Sequence, residues 1–192
     1  MRLHSVPTVE STFGTKARLL KAAIDVAIVG DDEPVAALDR PRTEAALAAT
    51  TASELLVVVA GVLGPAQARS AGLVLATFEG AGANAELAAL AAQLSAQRAV
   101  TAEWLVDRLA ALAPPPTGLT RDDAIDTTWV VMDPAVFARL TRNRGWTVER
   151  YERWFAASII RLLVGAVTPM PAKTAAPTRP DTPATRGNRS TT

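Results

Sequence analysis

A chain of 192 residues, 49% hydrophobic and only 5% aromatic, suits one helical domain with a tail better than a sheet protein, because alanine abounds and β-branched runs are rare. It has no cysteine and a single histidine, His4, which excludes disulfides, thiolate metal sites and histidine clusters, so no cofactor or metal is expected. The formal net charge of +1 is unevenly spread: Arg2, Lys16, Arg18 and Lys21 outweigh Glu10 at the start, Lys173, Arg179, Arg186 and Arg189 outweigh Asp181 at the end, and the body between is acidic.

Ser5 to Thr12 predicts a short helix, capped by Ser5 with Pro7 in its first turn. Gly14 ends it and Thr15 caps the next. That next helix, Lys16 to Val29, carries a stripe of Leu19, Leu20, Ala23, Ile24, Ala27 and Ile28, with Lys21 and Asp25 as an exposed pair. Gly30-Asp31-Asp32-Glu33-Pro34 breaks the pattern, and three consecutive acids pointing different ways make a solvated loop rather than a metal site. A short helix follows over Arg42 to Thr50, and Ser53 or Thr51 caps another.

Leu55 to Val62 is apolar all round and is expected to be buried. The run to Gly64 falls well short of the roughly 20 residues that span a bilayer, so no membrane partner is expected. Gly64-Pro65 is expected to interrupt or kink the helix, which resumes from Ala66 to Ala81. Asn84 caps what should be the longest helix, running to about Ala113 with Leu87, Leu90, Leu94, Thr101, Leu105, Leu109 and Leu112 in register. Arg98 occupies that same register, where an apolar residue is expected, and Gln97 and Trp104 lie on the adjoining strip.

After Pro114-Pro115-Pro116 come three helices joined by two short breaks. Thr120 caps the first, Asp133-Pro134 starts the second, and Thr147 caps the third after Gly145. The third places Tyr151, Trp154, Phe155, Ile159, Leu162 and Leu163 on a face too broad for one partner, which predicts a second chain against it. From residue 166 on, prolines and threonines replace large apolar residues, the composition of a disordered tail.

Phe13-Gly14-Thr15-Lys16, preceded by Ser5 to Thr12, resembles the recognition helix of the TetR (tetracycline-repressor-like) family of transcription regulators. The helix–break–helix end at Leu119 to Leu163 is similar to that family's dimerisation end. The resemblance implies an all-α, cytoplasmic homodimer divided into a partial helix-turn-helix domain (1–29), a ligand-binding and dimerisation domain (30–165) and the tail (166–192). It implies a ligand-responsive DNA-binding regulator, usually a repressor. Val6, Pro7, Thr8, Ser11, Thr12 and Lys16 would then face DNA, and Trp129, Tyr151, Trp154, Phe155, Ile159 and Leu162 would form the dimer interface. Two features depart from the pattern. Glu10 replaces a phosphate-touching tyrosine, and only Met1 to His4 precede a motif that normally follows two helices. An anion repels the DNA backbone and an unsupported recognition helix does not hold its place in the groove, so weak, unselective DNA binding is expected of the chain as given.

Enzymatic chemistry finds no support, since the usual catalytic base occurs once and no phosphate-binding loop is present. What remains is an apolar interior with a few inward polar groups, the ordinary make-up of a small-molecule pocket. Phe78, Gln97, Arg98, Trp104 and Trp129 are the candidate lining for an unidentified effector, against the alternative that Arg98 is paired with a buried acid and the aromatics are core. The alternative function is a dimerising, ligand-binding module that no longer binds DNA on its own.

Overall fold

The computed structural model describes residues 15–29 and 41–164, and within them every regular element is helical. In chain order these are α1 (Lys16–Val29), α2 (Pro41–Ala48), α3 (Ala52–Gly80), α4 (Ala85–Leu112), α5 (Arg121–Val131), α6 (Pro134–Ala138) and α7 (Val148–Ile159). Wide π-type turns follow α6 (Arg139–Asn143) and α7 (Ile160–Val164).

The starts follow from local hydrogen bonding. Thr51 Oγ1 accepts from Glu54 N at 3.2 Å, while Glu54 Oε2 accepts from Thr51 N at 3.1 Å, a closed capping box on α3. Thr50 also donates to Glu54 from its backbone and its hydroxyl, and these bonds hold the Glu54 carboxyl below the usual carboxylate range. Asn84, Thr120, Asp133 and Thr147 cap α4 to α7 as the sequence predicts. Gly145, at φ 66°, ends the turn before α7 in a conformation that side-chain-bearing residues seldom adopt.

Helix α3 is the hub. It packs on α1, α2, α4, α6, α7 and the last π-turn. Gly64-Pro65 does not interrupt it: α3 runs unbroken for 29 residues and, not α4 at 28, is the longest helix. The carbonyl that proline deprives of a partner belongs to Gly61, an exposed residue where water can take the bond. Nor is the run from Leu55 to Val62 wholly buried. Leu55, Leu56 and Ala60 are, but Val57 is 67% exposed and Gly61 and Val62 also face outward. By length and composition α3 could cross a membrane, and here the other helices gather round it.

Two apolar clusters hold the bundle. The larger joins Leu55 and Leu56 of α3 to Leu105 of α4, Phe137 of α6, and Tyr151 and Phe155 of α7. The smaller joins Ile24 of α1 to Val74 of α3 and Leu90 and Leu94 of α4. Two arginines fasten the first helices by their carboxyl ends, where orphan carbonyls need donors. Arg69 of α3 donates to Ala27 O at 2.8 Å and Ile28 O at 3.3 Å. Arg108 of α4 donates to Leu47 O at 2.6 Å and Ala49 O at 3.2 Å.

Helix α7 lies so close to α3 that Gly64 has no room for a side chain. A Cβ there would stand 2.6 Å from Glu152 Oε1, 2.7 Å from Glu152 Cγ and 3.0 Å from Val148 Cγ1. Burial against this seam, with Glu149 nearby, raises the Glu152 carboxyl above its usual range. Gly61, three residues earlier, has nothing within 4 Å of the same position. Gly64→Val should therefore destabilise the fold by about 1–3 kcal/mol through overpacking, whereas Gly61→Ala should gain up to about 1 kcal/mol of helix propensity. Urea unfolding of the two variants checks both signs.

Candidate functional site

The described residues offer one place where several buried polar groups converge, the junction between α5 and α6. The chain turns there because Thr128 and Val130 carbonyls end α5 and Asp133 opens α6. Asp133 serves two partners. Its Oδ1 accepts from Ala135 N at 2.7 Å, and its Oδ2 lies 2.9 Å from Arg98 Nη2. Both side chains of that ion pair are mostly enclosed, at 11% exposure for Arg98 and 23% for Asp133. The guanidinium carbon stands 4.0 Å above the Trp129 ring, and Trp129 Nε1 makes a long 3.4 Å bond to Ser95 O.

From the α3 side, Gln67 donates through Nε2 to Met132 O at 2.7 Å, so that the central helix holds the carbonyl just before Asp133. From the α7 side comes Tyr151, with its ring edge-on to Phe137 at 4.9 Å and beside Phe155. Burial, and then the Asp133 charge, push the Tyr151 phenol far above its usual range and keep it neutral. Burial lowers the Arg98 guanidinium while Asp133 opposes the change, and an arginine so placed stays charged.

Three atoms at this junction are buried without a partner: Gln67 Oε1, Arg98 Nε and the Tyr151 hydroxyl. Buried polar atoms are ordinarily satisfied, so an acceptor, a donor and a hydroxyl enclosed here without partners make the junction costly to bury. No group of His, Cys, Asp and Glu among the described residues could hold a metal ion.

The five expected pocket residues are not brought together. Arg98 and Trp129 meet as described, and Arg98 is paired with an acid. Phe78 instead packs on the smaller cluster with Ile24 and Val74, and Trp104 packs on the larger one. Gln97 is exposed, because the α4 face that turns Arg98 inward turns its neighbour out. Thr101, expected inside, is exposed as well. A mostly apolar groove of about 150 Å³ lies elsewhere, between Val106 and Leu109 of α4, Leu119, Ala124 of α5 and Leu163.

Three of the six expected interface residues need correction. Tyr151, Phe155 and Ile159 are fully buried in the chain's own core, because α3, α5 and the turn after α6 between them cover the broad face of α7. Trp154 is half-buried against Tyr151 and Trp146, and Trp129 is half-buried under Arg98. Only Leu162, 49% exposed, stands clear of the core. Of the expected DNA-facing residues, Lys16 is exposed at the start of α1, whereas Val6, Pro7, Thr8, Ser11 and Thr12 lie outside the described residues.

Gln67 and the second role of Asp133 are not in the sequence expectation. Gln67 shares an inward register with Ala60, Gly64, Ala71 and Val74, a spacing that marks it as the polar member of a buried stripe. Comparison of the chain with protein-family models, curated proteins and solved structures finds no match.

The junction predicts an order of mutational cost. Asp133→Asn keeps a capping side chain and removes the charge, whereas Asp133→Ala removes both; each leaves the enclosed Arg98 without a counter-charge. The alanine variant should be the less stable of the two by about 1 kcal/mol, and less stable than the parent by about 3–5 kcal/mol. Chemical denaturation of both variants checks this, and equal stability would show that the cap is idle.

Proposed function

We propose that this chain is a ligand-responsive transcription regulator of the tetracycline-repressor type, homodimeric, cytoplasmic and non-enzymatic. The observation that carries the reading is the pair of bonds made by two nearby residues of α3. Gln67 holds the α5–α6 junction through Met132 O, and Arg69 holds the carboxyl end of α1 through Ala27 O and Ile28 O. Helix α1 is the element into which the recognition-like Phe13-Gly14-Thr15-Lys16 run leads. A change at the junction that moved α3 would therefore be felt at α1, which is the connection a regulator needs between effector and DNA. The all-helical body agrees with the same reading, and the basic charge at the start of the chain suits a DNA-facing end.

The test is a titration at physiological salt, using protein purified from its native host so that every residue the gene supplies is present. DNA from upstream of its own gene is compared with a scrambled duplex. A regulator should prefer its own DNA by about 10³-fold or more. Equal affinity for the two duplexes would contradict this reading and favour a ligand-binding module that does not grip DNA by itself.

A further inference from the structure

We infer that the chain pairs with a second copy of itself through an exposed apolar face of α3, the two helices antiparallel about a two-fold axis between Gly61 and Val62. The inference rests on the homodimeric reading above and names the surface and register that serve it. Tyr151, Phe155 and Ile159 are spent on the chain's own core, so the broad face of α7 does not supply that surface.

No charged residue occurs in α3 between Glu54 and Arg69. The neighbouring helices leave one side of this run open. Val57 is 67% exposed and Val62 37%, Gly61 and Ala68 are exposed, and Val58 and Pro65 are half-buried. They recur every three or four positions, so with Glu54 and Arg69 at its ends the face is about 22 Å long. Elsewhere, among the described residues, Leu47, Val100 and Val130 are each the one exposed large apolar side chain on their helix, the ordinary scatter of a protein surface. At the middle of the α3 face, Gly61 has nothing within 4 Å of where a side chain would begin, which leaves room for a partner's side chain against the helix backbone.

The two ends of the face point to a second copy as its cover. Glu54 takes its bonds from Thr50 and Thr51 through Oε2, which leaves Oε1 outward. Arg69 holds Ala27 O and Ile28 O through Nε and Nη2, and Nη1 makes neither bond. Beyond it Arg142 lies over Gly72, its Nη2 2.9 Å from where a Cβ would stand, and adds positive charge at the same end. The face is therefore negative at one end, positive at the other and apolar between. An antiparallel copy matches it throughout: Glu54 meets the partner's Arg69, Val58 meets the partner's Pro65, and Gly61 meets the partner's Val62. Parallel pairing sets like charges together at both ends. A lipid surface suits the apolar middle and offers Glu54 no counter-charge. Because both chains use the same patch, the contact closes at two copies.

Sedimentation of the full chain and of Gly61→Arg at micromolar concentration tests the surface. Arginine at this open position touches nothing in its own chain and favours helix over glycine, so the variant should unfold in urea no earlier than the parent. Its dimer dissociation constant should rise by about 30-fold or more, the effect of losing a central contact. Crosslinking tests the register, because the chain has no cysteine of its own. Gly61→Cys should form a disulfide-linked dimer on mild oxidation. Ser53→Cys should not, since antiparallel copies hold that position about 25 Å apart along the pair. A Gly61→Arg variant that pairs like the parent would overturn the inference, as would linkage at Ser53 and not at Gly61. Either result leaves the homodimeric reading intact. A parent chain that stays monomeric would overturn both, and its flotation with phosphatidylcholine vesicles would assign the α3 face to lipid instead.

Discussion

Helix α3 has to satisfy neighbours on most of its circumference, and that requirement shapes the rest of the molecule. Five helices and the last π-turn touch it, so its residues cannot be sorted into one apolar and one polar face. Leucine and valine fill the wide contacts, while alanine and glycine let α7 approach. The polar residues that remain inside must find bonds. Ser70 and Thr77 turn their hydroxyls back to Ala66 O and Leu73 O, which uses no partner beyond the helix itself. Gln67 is too long for that solution and reaches across to Met132. Among the described residues, the one long-range polar bond the helix makes to the interior thus lands on the carbonyl next to Asp133.

That landing point explains why an ion pair sits where it does. Burying Arg98 and Asp133 together gains little net stability, since desolvation offsets most of the attraction. What the pair supplies is position. Asp133 must face α6 to cap it and face α4 to meet Arg98, which fixes the angle of the α5–α6 turn relative to two helices at once. Arg121 and Asp107 add a second, exposed tie between α4 and α5, with paired bonds of 2.8 and 2.9 Å. Being solvated, that tie contributes little. The buried junction is the part with something to lose, and also the part with bonds left to make.

Much of the helical framework was legible from short-range signals. Caps at Asn84, Thr120, Asp133 and Thr147 depend on a side chain reaching two or three residues along, so local sequence suffices. Arg98 was legible as inward because a charge interrupts a leucine register. Its partner was not, because Asp133 is distant in sequence and already had a local explanation as a cap. The Gly64-Pro65 step misled because proline is costly only where its missing bond cannot be replaced, and exposure of Gly61 is a tertiary fact. The face of α7 misled for a related reason. Tyr151, Phe155 and Ile159 are too many for one neighbouring helix, but the chain itself brings several neighbours. Grouping Phe78 and Trp104 with Arg98 failed because helical spacing says which residues point inward and not which of two cores they reach.

The central claim is that α3 joins the α5–α6 junction to α1, through Gln67 at one end and Arg69 at the other. Amide hydrogen exchange of Gln67→Leu, compared with the parent chain, tests it most directly. The substitution removes the bond to Met132 and leaves Arg69 untouched. The account predicts faster exchange at the junction and also along α1, Lys16 to Val29, although Met132 and α1 belong to different apolar clusters. Faster exchange confined to the junction, with α1 protected as in the parent, would contradict it.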